Sequence, residues 1–490
     1  MRALASTRLS QEVGTLRSEA HERVALLYPS PYATGMSSLG YQTIYREIHG
    51  SGRGADRAFL PEDVPAWRAS RAPLFTYEGE RPVSDYAVVA VSVAYELELA
   101  GLIDSLELAG IPPLAEERTN RHPFVLVGGP LTFSNPLPLA PFADAILMGE
   151  ADQTIHTALD VLFASTNDRH AALVTLAREV PSAFIPALHG DRMPPVAQCA
   201  DELLPAYGQI TTPNTELREM FLVETSRGCS RGCHYCVMRR STNGGMRIVP
   251  FETIFARIPS TAKRVGLVGA AVSDHPRIAD IVERLADEGR GVGLSSLRPD
   301  RLNDRFVAAL RKGGYRTLTT AGDGASERMR ESIQRKTRER HLVRAAELAR
   351  AHGMERMKLY MMCGLPGEED ADIDELVRFS TELSKIIPLA LGIGPFVAKR
   401  NTPLDGQPFA GINVVEHRLE RLRRGVRGRV DVRATSARWG WVEHVLAQGG
   451  QAEGRAVLAA VHAGGKFADW KRAFNALPTE RPRRALAIIE

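Results

Sequence analysis

Cys229, Cys233 and Cys236 fall within eight residues, in the segment VETSRGCSRGCHYC, with the spacing C-x3-C-x2-C and with Gly228 and Gly232 beside them to let the backbone fold tightly. Three thiolates cannot ligate all the irons of a 4Fe-4S cluster, so a cluster held this way keeps one iron free to take up a small molecule. The competing chemistry is a zinc site of the three cysteines with His234. That residue is poorly placed to close a tetrahedron beside Cys233, and no fourth cysteine follows at finger spacing. The other two cysteines, Cys199 and Cys363, stand alone, and five sparse cysteines do not make a disulfide framework. Cys363 ends an apolar run where a strand would deliver it to a reaction centre. It reads either as a catalytic hydrogen donor or covalent anchor, or as an inert small hydrophobe. Nothing is expected of Cys199.

The elements that must position these residues are legible as alternating apolar runs and helical patterns. The chain has 490 residues, 44% hydrophobic and 24% charged, enough for about three domains of a folded, water-soluble protein. Arg23 opens a buried strand followed by a Gly/Ser loop and a helix from near Ser38. Further runs at Tyr86 to Val93, Pro123 to Gly128 and Ala145 to Gly149, with helices at Leu97 to Ala109 and Asp152 to Phe163, predict a doubly wound, Rossmann-like parallel sheet over 23–165, behind an arm at 1–22. Six prolines and no long periodic stretch make 166–215 a connecting segment. From 216 to 405, strands at Met220, Arg264, Gly291, Tyr315, Met357 and Ala390 alternate with helices. This predicts a partial TIM-type (β/α)6 barrel with its functional groups at the carboxyl ends of the strands. Residues 406–490 read as a small helical domain, so the fold class is α/β throughout.

Charge excludes little beyond generic polyanion binding. Lys plus Arg number 62 against 58 acidic residues, a net +4 too small for general attraction to nucleic acid or anionic membrane. Within 418–438, however, eight arginines face two acidic residues, either a solvated helix face or a phosphate site, with Trp439, Trp441 and Trp470 near it. No apolar run is long enough to span a membrane and no signal segment is evident, so the expected location is the cytoplasm.

At this point the chain resembles the radical S-adenosylmethionine (radical SAM) superfamily, whose signature is the same three-cysteine spacing with an aromatic residue before the last cysteine, here Tyr235. The segments GLVGAAVSDHP, LSSLRPDRL, TLTTAGDGASERMR, KLYMMCGLPGE and PFVAKRNTP follow in order and look like the family's later strand ends. YPSPYATGMSSLGYQ and VLVGGPLTFSNPLPLAPFADAILMGEAD resemble the cobalamin-binding-like domain that precedes the barrel in one large branch. The resemblance implies that Cys229, Cys233 and Cys236 hold a 4Fe-4S cluster. The amino and carboxylate groups of SAM would chelate its open iron, and an electron from the reduced cluster would release a 5'-deoxyadenosyl radical that abstracts a substrate hydrogen. It further implies that Tyr235 packs near adenine, and that the backbone at Gly269 and Ala270 serves the SAM amino group where the family usually has Gly-Gly-Glu. Ser295 and Ser296 would meet the ribose, Arg298 would grip the carboxylate, and Asp323 would contact SAM or substrate. Gly364 would lie beside adenine, and Phe396 and Val397 would line the last strand. Helix capping and core packing remain the plainer readings of the serines, Asp323, Phe396 and Val397.

The implied partners are SAM, an unidentified substrate and an electron donor such as flavodoxin or ferredoxin. Cobalamin stays open: the D-x-H-x-x-G motif that supplies a histidine to cobalt is absent, yet enzymes of this branch can hold cobalamin without it. With cobalamin the expected reaction is methyl transfer to an unactivated centre. Two alternatives stand beside it, an RNA-modifying radical SAM enzyme and a non-catalytic iron-sulfur or electron-transfer protein. The first is disfavoured because only Cys199 precedes Cys229, where methylthiotransferases carry three further cysteines.

Overall fold

Runs such as VALLY and FVLVG become strands because helices cover both faces of a parallel sheet, so no face needs polar alternation. In the computed structural model, which describes residues 1–165, 167–238, 245–295 and 297–478, the chain divides into two units, Met1–Glu219 with the segment from Val445 onward, and Met220–His444. The first unit is built on β1 (Arg23–Tyr28), β2 (Gly54–Phe59), β3 (Val88–Ser92), β4 (Phe124–Gly128), β5 (Ala145–Leu147) and β6 (Ala183–Phe184). Their order is β2-β1-β3-β4-β5-β6, with only β6 antiparallel. The order reverses between β1 and β3, so the crevice at their carboxyl ends is the switch point where doubly wound sheets bind ligands. Ser38 caps the helix Leu39–Gly50 by accepting from the Tyr41 N–H, and Tyr41 in turn donates its hydroxyl to the Leu26 carbonyl at 2.7 Å.

Two pieces of this unit differ from expectation. β2 carries Asp56 and Arg57, which break the apolar pattern, yet both are buried. Arg57 pairs with Glu12 at 2.6 Å and Glu78 at 2.5 Å, and Asp56 with Arg23 at 2.5 Å. Because Glu12 is one of those partners, the N-terminal arm is part of the core. Residues 166–215 are likewise more than a connector. Asp168 caps a helix over Arg169–Glu179, and β6 pairs with β5, extending the sheet.

The second unit contains β7 (Met220–Glu224), the hairpin β8 (Ser226–Gly228) and β9 (Met246–Ile248), then β10 (Arg264–Val268), β11 (Gly291–Leu294), β12 (Thr317–Asp323), β13 (Arg356–Cys363), β14 (Leu389–Pro395) and β15 (Val430–Ala434). Apart from the hairpin, every pairing is parallel, in the orders β11-β10-β7 and β12-β13-β14-β15. A parallel bridge from Leu297 to Thr320 links the two sheets. The six expected barrel strands are present and form an open barrel. β15 continues it beyond residue 405, with the helix Ile412–Gly425 as its crossover. The C-terminal helices are present too, but they divide between the units instead of forming a third body. Asn135 donates to the carbonyls of Leu446, Ala447 and Gly449, and Gly454 lies against the Pro138 carbonyl, where a Cβ would come within 2.0 Å.

Candidate active site

The carboxyl end of β7 runs into β8, where Gly228 adopts φ 85° and turns the chain into the cysteine loop. Cys233 is buried, while Cys229 and Cys236 are half-buried. Burial pushes the thiols of Cys229 and Cys236 up, and Cys233 adds to the rise at both. At Cys229 the Arg231 N–H, 3.5 Å from Sγ, opposes it. A cationic centre favours the thiolate form of buried thiols, and soft sulfur donors suit a multi-iron cluster. Among the described residues, no three His, Cys, Asp or Glu side chains are arranged as a metal-ion site. His234 anchors the loop through its backbone, its N–H donating to Ile333 at 3.0 Å and its carbonyl accepting from Leu404 at 3.3 Å.

Tyr235 is held at both ends. Its ring, with Met362 and Leu404, packs on Met329, Ile333, Leu365, Phe396 and Ala398. Its hydroxyl donates to Asp323 Oδ2 at 2.7 Å, the oxygen that also pairs with Arg335 Nε at 2.6 Å. Burial and the Asp323 charge push the Tyr235 phenol up, while Asp323 holds Arg335 firmly protonated against its own burial. Asp323 itself sits at φ 66° at the end of β12, and its carboxylate is paired with Tyr235 and Arg335.

The other expected residues divide. Gly269 closes the end of β10 against Ser226, where a Cβ would come within 2.9 Å of the Ser226 carbonyl, and Ala270 beside it is exposed. Ser295 is exposed, and Ser296 lies outside the described residues. Arg298 was expected to grip a carboxylate, but its buried guanidinium is paired with Asp274 and Asp300. Arg231, inside the cysteine loop, approaches the same two residues at 3.7 and 3.4 Å, and Ser230 donates to Asp274 at 3.3 Å. Asp274 and Asp300 thus tie the cysteine loop to the ends of β10 and β11. Sequence reasoning missed both, though an acidic residue just after a barrel strand was the available signal. It also missed Glu224, buried at the end of β7 and bidentate to Arg227 with two contacts of 2.9 Å.

Cys363 shares its face of β13 with Met357, Leu359 and Met361, all buried, whereas Lys358, Tyr360 and Met362 take the other face. Its thiol lies 3.7 Å from Glu368, and burial with that carboxylate's charge pushes the thiol well up. Glu368 in turn accepts from the Gly364 N–H at 2.7 Å and pairs with Arg418 of the helix Ile412–Gly425 at 3.0 Å. The expectation of a catalytic Cys363 facing the substrate therefore meets a thiol on the helix side of the strand, beside a buried carboxylate. Gly364 turns the chain at φ 88°, the buried Phe396 donates its N–H to the Cys363 carbonyl at 2.8 Å, and Val397 is half-buried.

Residues 223–380 match the radical SAM superfamily, and residues 40–186 match the N-terminal domain of radical SAM proteins. The chain belongs to the radical SAM superfamily. An uncharacterised protein of Methanocaldococcus jannaschii is 26% identical over 79% of this chain and 80% of its own. An uncharacterised methyltransferase of Pyrococcus horikoshii is 23% identical over 54% of this chain and 59% of its own. Among solved structures, the radical SAM methyltransferase TsrM from Kitasatospora setae, with cobalamin and a 4Fe-4S cluster bound, is similar in fold at a TM-score of 0.56 and 13% identity, over 81% of this chain and 78% of its own.

This radical SAM enzyme carries much of its Arg-rich segment as ion pairs, Arg418 with Glu368, Arg421 with Asp374, Arg424 with Glu420 and Arg433 with Asp431. Among the described residues no helix is long and apolar enough to cross a membrane.

Proposed function

We propose that this radical SAM enzyme holds a 4Fe-4S cluster on Cys229, Cys233 and Cys236, cleaves SAM there reductively and directs the resulting radical at a substrate in the barrel. The observation that supports this reading is the placement of all three cysteines on one loop at the carboxyl end of β7, tied through Tyr235 to Asp323 at the end of β12. When bound, the cluster supplies the electron that breaks the sulfonium bond of SAM and so yields the hydrogen-abstracting 5'-deoxyadenosyl radical. The chain's own part is positional. The apolar layer of Met329, Leu365, Phe396 and Tyr235 excludes water beside the loop. The turn at Gly269 and Ala270 offers backbone carbonyls to an ammonium group, and the exposed Ser295 offers a hydroxyl to a ribose. Arg298 is already paired with Asp274 and Asp300, so a carboxylate there would share its guanidinium with both.

Anaerobic reconstitution with iron and sulfide, then SAM and dithionite or a flavodoxin or ferredoxin, tests this reading. 5'-Deoxyadenosine is expected from the native chain and not from Cys233→Ala, and equal yields from the two overturn it.

The N-terminal unit favours a second layer to this function, cobalamin-assisted methyl transfer. Its strand order creates a switch-point crevice, and both TsrM and the Pyrococcus relative are methyltransferases by name. The loops leaving β1, β3 and β4 contain no histidine, so a corrinoid there would lack a histidine ligand from them. Retention of hydroxocobalamin after gel filtration, read by its visible absorbance, supports this layer. Its complete loss overturns it.

A further inference from the structure

The two faces of the β12–β15 sheet differ in a way that ordinary barrel packing does not require. On the helix side, Leu318, Met357, Leu359, Met361, Leu391 and Ile393 are buried. On the opposite face, Thr317, Thr319 and Lys358 are only half-buried, and Tyr360 is 40% exposed. This second face is the lumen, because it carries Met362, which packs with Tyr235 of the cysteine loop on the same apolar cluster. A barrel interior is normally filled by branched apolar side chains. Here the register instead puts Ala321 and Gly392 on either side of Tyr360, and Thr319 and Ala390 on either side of Lys358.

These residues form a built surface. A Cβ at Gly392 would come within 2.8 Å of the Tyr360 ring, so glycine is what lets the ring lie across β14. Lys358 Nζ lies 4.6 Å from the centre of that ring, and the ammonium has no carboxylate partner among the described residues. The neighbouring charges add to it. Arg356 and Arg433 share the face, and Asp431 is its only carboxylate on β13 to β15, already paired with Arg433 at 2.8 Å. Each two-residue step along a strand descends about 7 Å, so the backbone of Tyr360 lies one step below that of Met362 and the backbone of Lys358 one step further, while the Lys358 ammonium stays beside the Tyr360 ring.

We infer that the lumen face at Tyr360 and Lys358 binds the substrate, and that this substrate is a small anion, carboxylate or phosphate, carried on a flat or apolar group that stacks on Tyr360 while the anion meets Lys358. The inference rests on the proposed function, since it fills the barrel whose upper layer holds the cysteine loop. A half-buried ammonium on an aromatic face attracts an anion more strongly than a fully solvated one, and the open ring supplies the apolar contact.

The test uses the reconstituted protein with SAM, titrated calorimetrically with phenyl phosphate, benzoate, inorganic phosphate and benzylamine. At least one aryl anion is expected to bind, and benzylamine is not. The stronger of phenyl phosphate and benzoate identifies the anionic group. Lys358→Gln is expected to weaken aryl-anion binding about tenfold or more, while Lys358→Arg keeps it. Tyr360→Leu is expected to weaken the aryl anions more than inorganic phosphate. Absence of anion binding, equal binding of benzylamine, or unchanged binding in Lys358→Gln overturns the inference. Iron content and substrate-free 5'-deoxyadenosine are read in the same samples. Their loss from the native chain counts against the proposed function, whereas lost anion binding with both intact counts against this inference alone.

Discussion

Replacing Arg418 by methionine strands the Glu368 carboxylate inside the second unit. The Glu368 side chain has no exposed surface, Arg418 is 3.0 Å from it, and its remaining partners are the Gly364 N–H and the Cys363 thiol. Burial already pushes this carboxyl up, with Arg418 and the Gly364 N–H opposing the shift. Breaking one partner of a buried pair costs about 3–5 kcal/mol. Protonation limits that cost, because the variant escapes by taking up a proton. Starting from an ordinary carboxyl value of about 4.5, protonating it costs at most about 3.4 kcal/mol at pH 7 and about 0.7 kcal/mol at pH 5, at 1.36 kcal/mol per pH unit.

The sign follows from the raised value. A carboxyl that prefers its neutral form when folded loses stability as pH rises through its folded pKa, so the variant's deficit grows from acid to neutral pH. Calorimetry at pH 5 and 7 should show Arg418→Met losing about 3 kcal/mol at pH 7 and about 1 kcal/mol at pH 5, with most of the pH 7 loss restored by adding Glu368→Gln. A loss that is equal at both pH values, or a double variant no more stable than Arg418→Met, refutes the reasoning.

The remaining predictions address the site directly. Cys233→Ala should lower bound iron after reconstitution to background, read by iron assay and visible absorbance. Tyr235→Phe removes a bond to an ionised acceptor, worth about 1.5–3 kcal/mol, and should speed hydrogen exchange across residues 233–236. His275 is buried, its Nδ1 accepting from the Arg277 N–H and its Nε2 facing the Val249 carbonyl, and burial depresses its pKa. Its contribution is therefore present above its unfolded pKa and is lost as pH falls through that value toward the folded one, so thermal stability should fall below about pH 6.5, and less so in His275→Gln. Asp274→Asn removes a carboxylate shared by Arg298 and Arg231, so exchange in the cysteine loop should rise.

The cysteine spacing, the six barrel strands and the order of strand and helix were legible because each depends on short-range patterns. β2 and β15 were not, because their charged residues break the apolar run. In β2 the offsetting partners are remote: Glu12 reaches Arg57 across 45 positions. The helix Arg169–Glu179 was hidden by the run of prolines that begins just after it at Pro181.

Within the site, Gly228 and the cysteines could be chosen from residue type alone. The partners of Asp323, Arg298 and Cys363 could not, because a side chain's partner depends on which strand ends meet. Tyr235 finds Asp323 across 88 positions, and Arg418 finds Glu368 across 50. The sequence by itself determined the three-cysteine spacing, the superfamily and the alternation that makes a barrel, since residue type, glycine freedom and hydrophobic period are local properties. Only the tertiary structure decided that Cys363 faces helices, that Arg298 is already paired and that Lys358 lies beside an open tyrosine ring, because strand register assigns alternate residues to opposite faces and a neighbouring loop decides which charges meet.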